Sequence, residues 1–440
     1  MRSIVLKLQK KAKPDTPPIF YLHGGPGFEG LESELSILGE FEKNWQPMLD
    51  ISDVVVVSQR GTGPSKPTIT FGETLKMQPL DQTFNEDKLE LELRQILTRE
   101  KIVWEQSGYD FSSFKVSEMA TDVKAVMQAL GYKKIILWGG SFGSHWGIAI
   151  MRYYPNIVAR AIFRGLEGPD HTYDHPGHIW NVYKRIAEEA EKSEELRDFI
   201  PKDGLIQAVK TIITRADKNP VKVIVTDNEN NRYDVLFDGK RVRDLAMGYK
   251  GGKPAWPENI IKLFNGNFDE AAKTLVSKFK EGQEYSDQFL YSVSYWALDC
   301  SSGITFERLA RYEADSAIDI IGRTYNDYIM GCSVWGNDAG DEFRKNFTTD
   351  IPTVFVHGTW DDSTPFENAV ELAPFFKNSK LIPLIRGPHG AIRAALEIDE
   401  QFKKGLFQFI ATGDMSALPD KMEMPPVKWV IPEQHNEKLD

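Results

Sequence analysis

The sequence has no long hydrophobic run and no block of basic residues, and these two gaps exclude several classes of protein. The most apolar stretch, 135–151, is interrupted by glycines and by Ser141, Ser144 and His145, so it falls short of the roughly 20 apolar residues of a membrane helix. The formal net charge is -11, and no Lys/Arg cluster offsets it locally. We therefore expect no membrane span, because no apolar run is long enough. We also expect no nucleic-acid partner, because a negatively charged surface repels polyanions.

Cysteine is also scarce, since Cys300 and Cys332 are the only two in the sequence. From the residues alone, two cysteines are consistent with a disulfide and equally with buried thiols, the commoner case in an intracellular enzyme. No signal-peptide run opens the chain, because apolar and polar residues alternate over 1–13 as they do in a strand. A chain that starts almost inside a strand leads us to expect a processed, trimmed or mis-started product.

The remaining composition is that of a folded globular protein. Hydrophobic residues make up 41% and charged residues 27% of the 440 residues, so the chain can bury a large core. This length exceeds the usual size of one domain, and we expect a core with a substantial second element. The sequence contains no internal repeat and no low-complexity tract.

Short apolar runs that end in glycine or polar turns predict buried strands, and helical spacing between them predicts covering helices. The predicted strands are 19–23, 54–58, 134–138, 160–165, 352–357 and 381–385. The clearest helical pattern is 117–130, which stops at Gly131. This alternation predicts an α/β fold with a mostly parallel central sheet flanked by helices.

A region with a different composition and different predicted secondary structure interrupts the strand pattern. It is rich in charged helices and contains a hairpin-like pair at 221–227 and 232–237. We interpret it as a large, mainly helical inserted cap. The predicted division of the chain is a first core part at 1–166, the cap at 167–334 and a second core part at 335–440.

The pentapeptide G-G-S-F-G at 139–143 lies between a predicted strand and the helical pattern 144–154. This is the setting of a nucleophile elbow, in which glycines permit a strained turn and the serine projects its hydroxyl above the sheet. Such a string also occurs by chance, but its position between strand and helix makes it informative. The motif therefore favours the α/β-hydrolase fold with Ser141 as nucleophile.

A serine hydroxyl is a poor nucleophile unless a base removes its proton. In this fold the base lies in a loop after the last strand, and the acid of the triad comes before it in the chain. His389 lies in R-G-P-H-G directly after the last predicted strand, so we assign it as general base; a surface-loop histidine is the alternative. His357 ends a buried strand, and we expect a structural role for it. The orienting carboxylate should follow the preceding strand, where Asp361 and Asp362 both qualify and one of them could instead cap the next helix.

The oxyanion of an acyl-transfer intermediate needs two backbone N–H donors. We assign them to Phe142, the residue after the nucleophile, and to Gly25 in the H-G-G-P-G turn at 23–27. A plain tight turn is the alternative for that segment. We interpret His23 as a structural loop residue.

Taken together, these motifs resemble the prolyl iminopeptidase and tripeptidyl aminopeptidase family of serine peptidases, over nearly the whole chain. The matching motifs are H-G-G-P-G at 23–27, Q-R-G-T-G at 59–63, the elbow at 139–143, G-T-W-D at 358–361 and T-P at 364–365. The resemblance implies the α/β-hydrolase fold and an aminopeptidase activity. The family pattern G-x-x-D-x-x-T-P also places the triad acid at Asp361 rather than Asp362.

The predicted cap is similar to the tripeptidyl aminopeptidase branch, through its hairpin, the R-D-L helix start at 243–245 and its two cysteines. In that branch Cys300 and Cys332 are expected to pair, which would imply export to the periplasm or outside the cell; without the pair we expect a cytoplasmic enzyme. Two departures concern substrate preference. Ser58 stands where the family usually has aspartate, and S-S-G at 301–303 replaces a more usual acidic stretch.

An aminopeptidase has to recognise a free α-ammonium group, which a buried carboxylate near the nucleophile can bind. Glu167 and Asp170 follow a strand whose carboxyl end should open on the active site, so both are candidate substrate-binding residues; the alternative is that both are solvated loop acids. Nearby His171, His175 and His178 fit no regular ligand spacing and have no cysteine beside them, so we expect no metal site. The serine mechanism itself needs no cofactor.

The sequence thus predicts a serine aminopeptidase that releases N-terminal residues or short peptides from free-amine peptides through an acyl-enzyme. One alternative is a carboxylic ester hydrolase with the same triad, since the fold does not determine the substrate. Another is a non-catalytic binding protein on the same fold. Turnover of free but not N-acylated substrates would separate the first two, and failure of a fluorophosphonate to label Ser141 would favour the third.

Overall fold

The computed structural model describes residues 5–8, 16–27, 46–63, 65–66, 68–248, 252–280, 292–324 and 326–433. The strands within these residues are β1 (Val5–Leu8), β2 (Ile19–Leu22), β3 (Val54–Val57), β4 (Ile135–Ser141), β5 (Val158–Leu166), β6 (Val221–Thr226), β7 (Arg232–Phe237), β8 (Thr353–Gly358), β9 (Ser379–Ile385) and β10 (Met422–Glu423). Eight of these described strands form one sheet in the order β1-β3-β2-β4-β5-β8-β9-β10, and β6 pairs with β7 separately. Neighbours from β3 through β10 in this order run parallel, whereas β1 is antiparallel to β3. The parallel strands therefore present their carboxyl ends at one edge.

The sheet is covered on both faces, which explains why its strands are continuous apolar runs rather than alternating ones. In β3 all four valines are buried. Val54 and Val56 pack into a core on one face, whereas Val55 and Val57 pack into the core on the other. Successive side chains of a strand point to opposite faces, so one run of valines supplies both cores.

Helices of the first core part connect the strands across the sheet. The described α-helices here are α1 (Gln46–Leu49), α2 (Glu86–Gln106), α3 (Val116–Ala129) and α4 (Phe142–Tyr153). The Asn85 side chain caps the start of α2 by accepting a hydrogen bond from the Lys88 N–H. We did not predict α2, because charged residues separate its apolar positions. The helix nevertheless buries a stripe that includes Leu89 and Leu93.

A mainly helical insert separates β5 from β8 in the chain. Besides the β6–β7 hairpin, its described α-helices are α5 (Pro176–Ala190), α6 (Gly204–Lys218), α7 (Gly239–Met247), α8 (Trp256–Phe264), α9 (Asp269–Lys280), α10 (Val293–Ser302), α11 (Phe306–Glu313), α12 (Ile318–Ile321), α13 (Asn326–Trp335) and α14 (Asp341–Arg344). Much of the insert packs around a hydrophobic core of its own, which includes Trp180, Phe237 and Trp256. The predicted hairpin and the mainly helical character are observed, and the domain boundaries stay a prediction.

The second core part completes the sheet and adds the helices α15 (Phe366–Leu372), α16 (Ala391–Ile398) and α17 (Glu400–Thr412). The six predicted strands are all present, each within a few residues of its predicted bounds. The strand predicted at 134–138 continues to Ser141, because its last residues still pair with β5. Across the helices of the described segments, none combines the length and apolarity needed to cross a membrane.

Candidate active site

Ser141 lies at the junction between β4 and α4, in a strained backbone conformation. Its φ is 55° and its ψ is -135°, a region of backbone conformation that residues other than glycine rarely occupy. Glycines make the turn possible by close approach, since a Cβ on Gly143 would overlap the Leu22 carbonyl and one on Gly139 would overlap the Gly143 carbonyl. This is the geometry of a nucleophile elbow, with the serine at the carboxyl edge of the sheet.

His389 and Asp361 form a hydrogen-bonded pair at the same edge. The His389 Nδ1 atom lies 2.8 Å from Asp361 Oδ2 and 3.0 Å from Oδ1. Asp361 is fully buried and also accepts hydrogen bonds from the Ser363 and Thr364 N–H groups, each at 3.0 Å. Asp362 instead pairs with Lys253 at 2.7 Å. Of the two adjacent carboxylates, Asp361 is therefore the one in position to orient the imidazole.

The surroundings of Asp361 keep its carboxyl group ionised. Burial by itself would raise the pKa of Asp361, but the neighbouring His389 and the donated hydrogen bonds outweigh burial and lower the pKa to about 2. The Thr364 hydroxyl adds a hydrogen bond of 2.9 Å to Asp361 Oδ2. An ionised Asp361 can only accept a hydrogen bond, so Nδ1 of His389 is the protonated nitrogen and Nε2 carries the free lone pair.

The imidazole of His389 rests on β5, the strand beside the nucleophile. A Cβ built on Gly165 would lie 2.7 Å from His389 Cε1, and Leu166 is the register partner of Ser141. The described contacts include no hydrogen bond between the Ser141 hydroxyl and His389. Catalytic hydrogen bonds of this kind are often long in ligand-free proteins and tighten when substrate binds.

The two predicted oxyanion donors lie on either side of Ser141. Phe142 is the first residue of α4, so its N–H is among the helix groups without an intrahelical acceptor. On the other side, the turn at 23–27 abuts the nucleophile, because a Cβ on Gly24 would lie 3.2 Å from Ser141 Cβ. Gly25 follows with a φ of 119° and a cis peptide bond to Pro26.

Gln59 holds this turn in place, a role that the sequence analysis did not assign. Its Nε2 atom donates to the Gly24 carbonyl at 2.8 Å and to the His23 carbonyl at 3.2 Å, while its Oε1 accepts from the Gly27 N–H at 2.9 Å. The side chain is completely buried. The Q-R-G string after β3 could have indicated this contact. It follows β3 as the turn at 23–27 follows β2, and the carboxyl ends of these two parallel strands lie at the same edge of the sheet.

Glu167 and Asp170, the candidate substrate-binding residues, have different surroundings. Glu167 is buried directly after β5, and burial, followed by the nearby Asp299 and Asp174, raises its pKa well above the usual range. The Asp170 carboxylate accepts hydrogen bonds from both the N–H and the hydroxyl of Thr305, at 2.9 and 2.6 Å. Asp170 is thus engaged at the start of α11, whereas Glu167 stays close to the elbow.

The remaining histidines singled out in the sequence contact protein groups. His171 Nε2 lies 3.1 Å from Glu371 Oε2, and His175 Nδ1 lies 2.8 Å from Asp315 Oδ2. Burial lowers the pKa of His171 to about 4. The Nε2 atom of His357 accepts a hydrogen bond of 3.0 Å from the Leu166 N–H, which links β8 to the end of β5.

The two cysteines form a disulfide that joins two helices of the insert. Cys300 on α10 and Cys332 on α13 have Cα atoms 5.0 Å apart. The N-terminal end of α10 packs against the turn at 23–27, since a Cβ on Gly27 would lie 2.8 Å from the Tyr295 nitrogen. The disulfide therefore restrains a helix that contacts the active-site edge.

The sheet order, the strained elbow and the paired acid and imidazole at the carboxyl edge define the α/β-hydrolase fold. A sequence profile described as alpha/beta hydrolase fold matches residues 17–191. This match covers the first core part and agrees with the α/β-hydrolase fold of the structure.

Curated relatives match a smaller region. Proline iminopeptidase of Neisseria meningitidis serogroup A is 23% identical over 158 residues, which is 36% of this chain and 35% of that protein. Proline iminopeptidase of Neisseria gonorrhoeae matches with the same identity and coverage. The chain thus spans about a third of the length of the curated relatives it matches.

Solved structures with low sequence identity align over most of the chain. An esterase from Exiguobacterium antarcticum aligns with a TM-score of 0.37 and 14% identity, over 93% of this chain and 96% of that one. A proline iminopeptidase-related protein from Thermus thermophilus has a TM-score of 0.37 and 15% identity, over 95% of this chain and 100% of that one. These neighbours differ in their named activities.

Proposed function

We propose that the protein is a serine hydrolase with Ser141 as nucleophile, His389 as general base and Asp361 as orienting acid. The observation that carries this proposal is the hydrogen bond of 2.8 Å between the buried Asp361 and His389, at the sheet edge that also carries the strained nucleophile elbow. The Ser141 hydroxyl gives its proton to His389 Nε2 and attacks the substrate carbonyl carbon. His389 then passes the proton to the leaving group, and water releases the acyl group by the same steps.

The N–H groups of Phe142 and Gly25 are proposed to stabilise the oxyanion of each tetrahedral intermediate. A backbone donor is useful here because it is already oriented and needs no rearrangement as negative charge develops. The Gln59 side chain supports this role by its hydrogen bond to the Gly24 carbonyl, because that carbonyl and the Gly25 N–H belong to the same planar peptide unit. Loss of one such donor typically costs about 100- to 1,000-fold in kcat.

The substrate class that we favour is peptides with a free N-terminus, so the enzyme would be an aminopeptidase of the prolyl or tripeptidyl type. Glu167 supports this choice, because it is a buried carboxyl group directly after Leu166, the register partner of Ser141. An α-ammonium group bound there would form a charge-assisted hydrogen bond. The weak similarity to proline iminopeptidases agrees with this assignment. The disulfide favours an oxidising compartment, and we propose export on that ground.

A carboxylic ester hydrolase is the second candidate, and the environment of Glu167 is the observation that favours it. Burial and two neighbouring carboxyl groups raise the pKa of Glu167, which shifts its equilibrium toward the neutral form. A neutral carboxyl group would tolerate an uncharged substrate. An ammonium group instead favours the ionised form, so free-amine substrates should bind more tightly as pH rises toward the raised pKa.

Two measurements test the proposal. A fluorophosphonate should label wild-type protein and fail to label Ser141→Ala, and equal labelling of both would contradict the nucleophile assignment. Aminoacyl and tripeptidyl anilides with free amines should be hydrolysed faster than their N-acetyl forms. Equal turnover of both forms would instead identify an ester hydrolase or a peptidase without amine recognition.

A further inference from the structure

Two consecutive residues of α4 hold the two residues that follow β5. The Ser144 hydroxyl accepts a hydrogen bond of 3.0 Å from the Glu167 N–H and donates one of 2.7 Å to the Ser141 carbonyl. His145 Nδ1 lies 2.9 Å from the Gly168 carbonyl oxygen. The corner formed by Glu167 and Gly168 is therefore tied to the helix that begins at the nucleophile.

The contacts of His145 determine which ring nitrogen carries the proton. A carbonyl oxygen can only accept a hydrogen bond, so Nδ1 has to be the protonated nitrogen. Nε2 is then the acceptor of the hydrogen bond from the Ser302 hydroxyl at 3.0 Å. The side chain is only 1% exposed, and its burial lowers the pKa of His145 to about 4, so the ring is neutral at neutral pH.

The Glu167 carboxyl group lies near the His145 imidazole but is not hydrogen-bonded to it. Its Oε1 atom is 3.9 Å from His145 Nδ1, and that nitrogen already donates to Gly168. The hydrogen bond by which the imidazole restrains this region is therefore made to the backbone at Gly168 and not to the carboxyl group. The Ser144 hydroxyl holds the Glu167 N–H, and His145 holds the Gly168 carbonyl one peptide further along the chain. These two contacts fix the backbone before and after Glu167 and so limit where its side chain points.

We propose that His145 is a positioning residue for Glu167, and that its Nδ1–H bond to Gly168 orients the carboxyl group toward the free α-amino group of the substrate. This inference rests on the proposed function. Ser302 belongs to α10 of the insert, and its hydroxyl contacts Nε2, the ring nitrogen that does not bond to Gly168. Glu167 binds the amine, and the Nδ1 contact affects amine specificity through the position of that side chain.

Two substitutions of one residue separate the contacts of the imidazole. His145→Asn places an amide N–H near the position of Nδ1, whereas His145→Gln places one nearer Nε2. We expect His145→Asn to keep the wild-type ratio of kcat/KM between free-amine and N-acetyl anilides. We expect His145→Gln to lower that ratio about tenfold through a higher KM for the free-amine substrate, as for the loss of one hydrogen bond.

Ser302→Ala is the matched control, because it removes the hydrogen bond at Nε2 and leaves the one at Nδ1. Its ratio should stay within about twofold of the wild type, and fluorophosphonate labelling of each variant reports an intact elbow. An undiminished ratio in His145→Gln, or equal losses on both substrates, would overturn this inference alone. Absence of any free-amine preference in the wild type would overturn the proposed substrate class and this inference with it.

A measurement on the wild type covers the case in which His145→Gln does not fold. Nitrogen-15 NMR of labelled histidine should show His145 protonated on Nδ1 and unprotonated on Nε2 at neutral pH. The opposite tautomer, or a doubly protonated ring, would contradict the bond to Gly168 and overturn the proposal.

Discussion

Gly165 is the position where a single methyl group should disturb the proposed catalytic histidine most directly. A Cβ in Gly165→Ala would lie 2.7 Å from His389 Cε1 and 2.9 Å from Nδ1, whereas ordinary contacts begin near 3.4 Å. The imidazole therefore has to move by roughly 0.7 Å or more, and a misplacement of about 1 Å can cost about 100-fold in rate. We expect kcat/KM on an anilide to fall about 100-fold, or about 2.7 kcal/mol in transition-state stabilisation.

Gly131→Ala provides the matched control for this substitution. Gly131 also has a positive φ, +78° against +51° for Gly165, but no atom lies within 4 Å of its built Cβ. Both variants should lose about 1–2 kcal/mol of unfolding free energy from backbone strain, measured by urea denaturation. Only Gly165→Ala should lose activity and fluorophosphonate labelling. Wild-type kcat/KM in Gly165→Ala would refute the placement of His389 above β5.

Three further predictions concern the support of the site and the stability of the protein. Gln59→Leu removes the hydrogen bonds to Gly24 and Gly27, so kcat should fall about 10- to 100-fold with little change in KM; an unchanged kcat in steady-state assays would exclude a role for this side chain in the proposed oxyanion turn at 23–27. The pKa of Asp361 is about 2, below its usual value, so its charge stabilises the folded state above about pH 4, and this contribution, on the order of 2 kcal/mol, is lost as pH falls through 2. The unfolding free energy of the wild type should show this loss at acid pH, whereas that of the Asp361→Asn variant should not. The same acid dependence in both proteins would contradict the prediction. Replacing Cys300 and Cys332 by alanine opens a disulfide whose cysteines are 32 residues apart and should lower the unfolding free energy by about 3–4 kcal/mol; an unchanged denaturation midpoint would argue against that contribution.

Local sequence patterns were sufficient to predict most of the sheet. A parallel strand covered on both faces has to be apolar throughout, and the runs at 54–58 and 134–138 show this directly. The elbow was equally readable, because the same five residues have to end a strand, turn sharply and begin a helix. Helix α2 was missed, since its packing residues alternate with charged ones and its burial depends on distant partners.

What the sequence by itself determined was therefore where the core strands lie along the chain and which residue types follow them, because both depend on short-range periodicity and turn chemistry. Tertiary structure decided which of those residues meet. It brought His389 to Asp361 across 28 residues, turned Asp362 toward Lys253 and engaged Asp170 with Thr305. It also assigned Gln59 to the turn at 23–27, because contacts between loops of neighbouring strands depend on strand order, which no local pattern encodes.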